Sequence, residues 1–232
     1  MEIVNVCGHS LAKNLLGPKV LVLDCGANYG SFSKWVSENC NAIVHGFEPD
    51  PRLFPNLPQL PQVNFYPLAV SGSGEPLTLM LGDTRCSTTC FTEKTDQASV
   101  IVESVRLEQF CQANSILNID MLKLDIEGAE IGVLASLSKE FLENIGQITV
   151  EFHDFIQKDQ VPHIKVAISK LKKYGFFCII FSHHDYADVL CINMKKHHVS
   201  LVDMAILYTK KYLRGFSRIM RRKFGAGTVK DI

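Results

Sequence analysis

The 232-residue sequence has one tryptophan, no net excess of either charge, and no run approaching the roughly 18 apolar residues that a membrane span requires. The balanced charge gives no electrostatic case for a nucleic-acid binder. Residues Met1 to Gly17 lack a basic start followed by an apolar stretch, so nothing there reads as a secretory leader, and a cytoplasmic protein is the expectation. Dense cysteine spacing is also missing. The eight cysteines lie mostly inside apolar runs, unlike a secreted disulfide scaffold, so reduced and buried thiols are expected. Cys86-x-x-x-Cys90 is followed by no second Cys or His pair at finger-like spacing, which speaks against structural zinc. Neither internal repeats nor low-complexity segments occur.

What is present is 47% hydrophobic residues with 21% charged, the balance of a folded chain long enough to bury a full core. Apolar runs alternate with helical spacing. Lys19-Val-Leu-Val-Leu-Asp24 reads as a strand ending in an acid and a glycine turn, and Ser31 or Ser33 is placed to cap a helix reaching about Asn39. Ala42 to Phe47 is a second strand, ending at Glu48-Pro-Asp-Pro51, and the proline-rich stretch to Pro61 excludes a long helix. Val63 to Val70 reads as a third strand, Pro76 to Leu81 as a hairpin-like addition, and Gly82 to Ser99 as a loop. Met121 to Leu124, Ile148 to Phe152, Phe176 to Phe181 and Val189 to Met194 supply four more strands, with a helix from about Val161 to Tyr174.

This order predicts an α/β fold with a mostly parallel sheet, helices on both faces, and a binding crevice at the C-terminal strand ends. Asp24, Glu48, Asp125 and His153 each end such a strand. The loop Asp24-Cys-Gly26-Ala27-Asn28-Tyr-Gly30 has glycines four apart, where backbone turns tightly and approaches a ligand. It is not the G-x-G-x-x-G that seats a pyrophosphate, which disfavours a nicotinamide oxidoreductase. Glu48 lies about 20 residues past the glycine loop, where a carboxylate accepts hydrogen bonds from a ribose diol and repels a 2′-phosphate.

These residues resemble the FkbM-type methyltransferases, a branch of the class I S-adenosylmethionine-dependent enzymes. The resemblance rests on Val22-Leu-Asp24-Cys-Gly26-Ala-Asn28-Tyr-Gly30, Phe47-Glu48-Pro49, Leu68-Ala-Val70, Leu122-Lys-Leu-Asp125-Ile-Glu127-Gly128-Ala-Glu130 and Val150-Glu-Phe-His153, and covers about Val20 to Met194. It implies a Rossmann-like class I fold with a seven-stranded sheet whose last two strands form an antiparallel hairpin. It also implies S-adenosyl-L-methionine as cofactor, held by Asp24, Gly26, Ala27, Asn28, Gly30, Glu48, Pro49, Val70 and Asp125. The methionine moiety would lie in the glycine loop, the ribose on Glu48 and the adenine near Leu68 to Ser71. Val105-Arg-Leu-Glu-Gln-Phe110 departs from the family, which tends to have Thr/Ser-Leu-Asp there, and leaves the role of Glu108 open.

The implied reaction is attack of a substrate oxygen on a sulfonium methyl, for which the protein orients the nucleophile and helps remove its proton. Asp125 and His153 are the candidate bases, with Glu127 in the same catalytic group. The alternative for His153 is orientation of substrate or of Glu151, and for Glu127 and Glu130 that of capping acids at a helix start. Asp125, Glu127 and His153 could also ligate a divalent ion, although a full ligand set is not visible and no metal site is assigned. His183-His184-Asp185 reads as a solvated turn and Cys25 as a small filler. The leading expectation is O-methylation of a hydroxylated small molecule such as a sugar or polyketide. The alternatives are an N-methyltransferase, disfavoured by the absence of an Asn/Asp-Pro-Pro-Tyr/Phe element, and a non-catalytic cofactor-binding scaffold.

Residues 1–198 thus read as the methyltransferase domain, with its core at about 19–194, and 199–232 as a basic helix and tail. From Lys210 onward eight basic residues meet the single acid Asp231, leaving a tail of +7 on a body of −7. Met204, Tyr208, Tyr212, Phe216, Ile219 and Met220 fall at helical spacing with Arg214, Arg218, Arg221 and Arg222 elsewhere on the turn. Such a helix docks on the body, joins a second subunit or lies on an anionic surface, and the glycines at 225 and 227 suggest that it frays.

Overall fold

The computed structural model describes residues 1–82, 87–88, 98–155 and 158–224, with residues 87–88 and 214–224 described through their backbone. The chain opens with a hairpin, β1 (Ile3–Val6) and β2 (His9–Ala12), closed by Cys7 and Gly8 at φ 50° and 90°. Two positive φ values are what a two-residue turn needs to match strand twist.

The central sheet is built from β3 (Leu21–Cys25), β4 (Ile43–Phe47), β5 (Val63–Tyr66), β11 (Ile119–Leu124), β12 (Ile145–Val150), β13 (Phe176–Ile180) and β14 (Val189–Asn193). Their order is β13-β14-β12-β11-β3-β4-β5, and β14 alone runs against its neighbours. This is the expected Rossmann-like arrangement of seven strands with an antiparallel last hairpin. Strand order reverses between β3 and β11, so the C-terminal ends of those strands flank the crevice that such a sheet offers a ligand.

Alternate residues of β3 face opposite cores. Leu23 and Cys25 join a large cluster with α2 (Leu107–Ala113), α3 (Glu130–Ser136) and α5 (Val161–Lys173). Val22 and Met121 pack with α1 (Ser31–Cys40) and the N-terminal hairpin. The hairpin is also tied down by polar groups. Ala12 donates its N–H to Gln147 Oε1 (2.9 Å), and Ser10 donates through both N–H and hydroxyl to Asp188 (2.9 and 2.7 Å). A short helix α4 (Lys139–Glu143) precedes β12, and Ser138 caps it by accepting from the Phe141 N–H.

Several expectations need correction. The run Val63 to Val70 is two strands, because Pro67 has no N–H for a ladder. β5 stops at Tyr66, while β6 (Ala69–Val70) pairs in parallel with β10 (Ser104–Val105). The hairpin-like addition is β7 (Leu77–Leu81), flanked by β8 (Ser87–Thr88) and β9 (Ser99–Val102) in a separate sheet, so Gly82 to Ser99 is not wholly a loop. Residues 83–86 and 89–97, including Cys86 and Cys90, lie outside the described residues, as do the glycines at 225 and 227. Neither serine caps α1; Gly30 holds the N-cap position, and Ser33 Oγ instead donates to Asp24 Oδ2 at 2.6 Å. Cys178 and Cys191, opposed in register across β13 and β14, form a disulfide where reduced thiols were expected.

After β14 the chain forms α6 (Leu201–Phe224). Among the described residues no helix is long and apolar enough to cross a membrane.

Candidate active site

At the end of β3 the chain turns through Gly26 (φ 83°), Asn28 (φ 52°) and Gly30 (φ 74°). A Cβ on Gly26 would lie 1.7 Å from the Asp125 carbonyl oxygen, so only glycine lets the two strand ends approach this closely. The Gly26 and Ala27 N–H groups both donate to Phe47 O, and the Gly30 N–H to Ala27 O. A loop whose donors are turned inward is not a phosphate cradle, which agrees with the missing third glycine.

Asn28 donates its N–H to Glu48 Oε2 (2.7 Å), and Asp50 donates to Glu48 Oε1 (2.8 Å). Each carboxylate oxygen keeps capacity for another donor. Burial pushes the Glu48 carboxyl up to about 7, against the opposing pull of the Asp50 and Asn28 N–H groups.

These groups form one wall of a cavity of about 590 Å³, counting its open mouth. Gly26, Asn28, Glu48, Pro49 and Val70 line it together with Asp125, Ile126 and Glu127. Phe47, Leu53, Leu68, Ala69 and Leu79 complete an apolar interior. An apolar slot with a carboxylate at one side fits a nucleoside, whose flat base seeks apolar contact and whose vicinal hydroxyls donate.

Three of the predicted cofactor residues stand behind this lining. Asp24 is fully buried and occupied, 3.1 Å from Lys123 Nζ and bonded to Ser33. Ala27 is buried in the turn, and a Cβ on Gly30 would meet Pro58 and Phe65. Their part is to shape the loop.

Lys123 was not singled out from sequence. It interrupts the apolar strand β11 directly opposite Asp24 in register, and its ammonium lies 2.7 Å from Gly26 O and 3.5 Å from Asp125 Oδ2. A lone lysine in a buried parallel strand has to be paired, and that was the available signal. Burial pushes Asp125 up, but Lys123 and the His9 hydrogen bond outweigh it and hold the carboxyl well below its ordinary range.

His9 was missed as well. The N-terminal hairpin brings this fully buried ring under the rim, with Nε2 3.2 Å from Asp125 Oδ2 and 4.0 Å from Glu151 Oε2. A glycine turn between two short apolar runs was the only hint. Burial, reinforced by the Asp125 charge, raises Glu151 to about 7.

Beyond β12, His153 is 4% exposed; its Nδ1 lies 3.0 Å from Glu130 Oε1 and its Nε2 3.2 Å from Glu127 Oε2 and 3.8 Å from Asp125 Oδ1. Glu130 also accepts the Ile126 and Gly128 N–H groups, so it braces the turn that precedes α3 and holds the imidazole at once; it caps no N–H group of the helix itself. Burial alone would lower the His153 pKa. The Glu130 hydrogen bond and the charges of Glu130, Glu127 and Asp125 outweigh it and bring it up to about 9.

The carboxylate and imidazole groups of Asp125, Glu127 and His153, and separately of His9, Asp125 and Glu151, come within 4.8 Å of one another and could each surround a small cation. Lys123 already supplies a positive charge to Asp125, the residue the two sets share. Glu108 stands apart from the cavity and accepts from the Ser138 N–H at 2.5 Å, linking α2 to the start of α4. His183 and His184 are exposed, and Cys25 is buried in the core.

The sequence matches the family model of the methyltransferase FkbM domain over residues 24–178. No curated protein matches it. Similar solved structures include M. capricolum TrmK in complex with the cofactor product S-adenosyl-homocysteine, at 13% identity and a TM-score of 0.42, covering 90% of this chain and 84% of that one. The Methanococcus jannaschii fibrillarin pre-rRNA processing protein is 15% identical with a TM-score of 0.44, covering 76% and 67%. The precorrin-6y C5,15-methyltransferase of Geobacter metallireducens is 10% identical with a TM-score of 0.40, covering 72% and 70%.

Proposed function

The chain belongs to the FkbM methyltransferase family, and from that premise we propose that it transfers a methyl group from S-adenosyl-L-methionine to a hydroxyl on a sugar, polyketide or other small metabolite. The observation that carries this reading is the Glu130–His153–Glu127 array, in which Nδ1 pairs with Glu130 and Nε2 faces Glu127, a residue of the cavity lining.

When bound, the cofactor supplies the activated methyl. Glu48 would accept hydrogen bonds from the ribose hydroxyls, and the apolar residues Leu68 to Val70 with Leu79 would take the base. Lys123 keeps Asp125 ionised next to the glycine loop, where a carboxylate favours a cationic ligand. Glu130 accepts the Nδ1–H of His153 and Glu127 faces its Nε2, so the ring becomes a base at Nε2 only once that nitrogen has given up its proton. Glu127, on the same face, orients the acceptor hydroxyl. Proton removal and positioning together are the tasks an alcohol nucleophile imposes.

Incubating the full chain with methyl-labelled S-adenosylmethionine and a panel of glycosides and polyketide alcohols tests the acceptor class. Label is expected on hydroxyl-bearing acceptors and not on their deoxy analogues. Label on amines alone would refute O-methylation.

A further inference from the structure

The match to the family model begins at residue 24, yet a group that fixes Asp125 comes from the chain before it. His9 opens β2 directly after the Cys7–Gly8 turn, fully buried and edge-on to Phe32 with ring centres 5.9 Å apart. Its Nε2 lies 3.2 Å from Asp125 Oδ2. Its Nδ1 is buried with no hydrogen-bond partner among the described residues. An unpaired ring nitrogen in the interior costs stability, and a leucine or phenylalanine would pack there without that cost. Packing therefore does not account for a histidine at this position; the bond at Nε2 does.

The hairpin holds the ring in place through bonds on either side of it. Asp188, just before β14, accepts from the Ser10 N–H and hydroxyl and from Asn5 Nδ2 (2.9, 2.7 and 3.3 Å). Gln147 of β12 exchanges two hydrogen bonds with the Ala12 backbone (2.9 and 3.2 Å). His9 thus sits between anchors on two strands of the central sheet.

The cationic and hydrogen-bonding partners that the fold gives Asp125 converge on one oxygen. His9 Nε2 at 3.2 Å and Lys123 Nζ at 3.5 Å both face Oδ2. Oδ1 accepts no hydrogen bond among the described residues and stands 3.8 Å from His153 Nε2. Because Asp125 lines the cavity, Oδ1 is the oxygen left to a ligand. Lys123 alone does not fix the carboxylate. Its ammonium is shared with Asp24 (3.1 Å) and Gly26 O (2.7 Å), and at 3.5 Å it gives Asp125 charge more than a directed bond.

We propose, on the methyl-donor reading of the Glu48 cavity, that His9 is a positioning residue for the cofactor: it holds Asp125 Oδ2 so that Oδ1 takes the ammonium on the amino-acid portion of S-adenosyl-L-methionine. A carboxylate locked from behind by a hydrogen bond loses little freedom when a cation binds in front. Partners behind a ligand-binding group commonly set its orientation in this way. The site is completed by a residue from outside the matched domain, and its effect is confined to the amino-acid end of the ligand.

Calorimetry of the full chain with S-adenosylhomocysteine and with 5′-methylthioadenosine, which shares the nucleoside but lacks the amino-acid portion, tests this. His9→Phe keeps the ring volume and removes the donor. It is expected to weaken S-adenosylhomocysteine by about tenfold or more, the range for a hydrogen bond to a charged group, and to leave methylthioadenosine binding unchanged. His9→Leu, smaller and equally without a donor, gives the same selective loss, so strain from a larger ring is not read as a lost bond. His9→Gln, which keeps a side-chain N–H, recovers most of the affinity. In an Asp125→Ala background His9→Phe has no further effect, because the two residues act as one unit. Equal loss for both ligands, loss for neither, or a full additional loss in the Asp125→Ala background would overturn the proposal. A wild-type chain that binds neither ligand would instead overturn the methyl-donor reading itself, and the role of His9 with it.

Discussion

His153→Gln lowers turnover by about 10²–10⁴-fold, the usual worth of a positioned base, while S-adenosylhomocysteine binds the variant as it binds the wild type. The separation arises because His153 is absent from the nucleoside side of the cavity, whose polar group is Glu48. Raised to about 9 by its carboxylate neighbours, the imidazole is protonated in most molecules at neutral pH. The rate for an alcohol acceptor therefore climbs about tenfold per pH unit through neutrality and levels off near 9. Glu130→Gln keeps the ring's hydrogen-bond geometry but removes the charge that holds its proton. In that variant the plateau begins at lower pH, a shift that a purely structural role for Glu130 would not produce. Stopped-time assays of the three proteins between pH 6 and 10 decide it. A flat profile for the wild type would remove His153 as the base, and a rise that levels off near 7 would assign that role to Glu151, poised at about 7.

Glu48→Gln weakens binding of S-adenosylhomocysteine by about 10- to 100-fold, the range for hydrogen bonds to a charged acceptor. The ionised carboxylate is the form that accepts two ribose hydroxyls. Because burial pushes its pKa to about 7, affinity in the wild type falls as pH drops below 7, up to about tenfold per unit. The sign follows from the ligand preferring the deprotonated protein. The glutamine variant lacks this limb, so its affinity stays level between pH 5.5 and 8. Calorimetry at several pH values measures both effects, and a wild-type affinity independent of pH would place the ribose elsewhere.

The fold was legible wherever an apolar run ended in an acid and a glycine or proline. Asp24, Glu48, Asp125 and His153 stood out as strand-end polar groups; Glu48 and Asp125 line the cavity, Asp24 is buried behind it against Lys123, and His153 pairs with Glu127 of the lining. What the sequence concealed depends on contacts across long separations. His9 reaches Asp125 from 116 positions away, through a hairpin whose two four-residue strands carry little periodic signal. Lys123 was visible as a misplaced charge, but only the register of β3 and β11 sets it opposite Asp24. Glu130 resembled an ordinary capping acid, but its oxygen accepts from the Ile126 N–H of the preceding turn and also holds His153. A pKa near 9 for that imidazole follows from three carboxylates converging in space, which linear spacing does not encode.

Calorimetric titration of the full chain with S-adenosylhomocysteine, using NAD as the control ligand, decides whether this cavity is a methyl-donor site. Saturable one-to-one binding of S-adenosylhomocysteine with no heat from NAD is the expected result. A folded protein that binds neither ligand, or that binds NAD, would contradict the assignment of the Glu48 cavity.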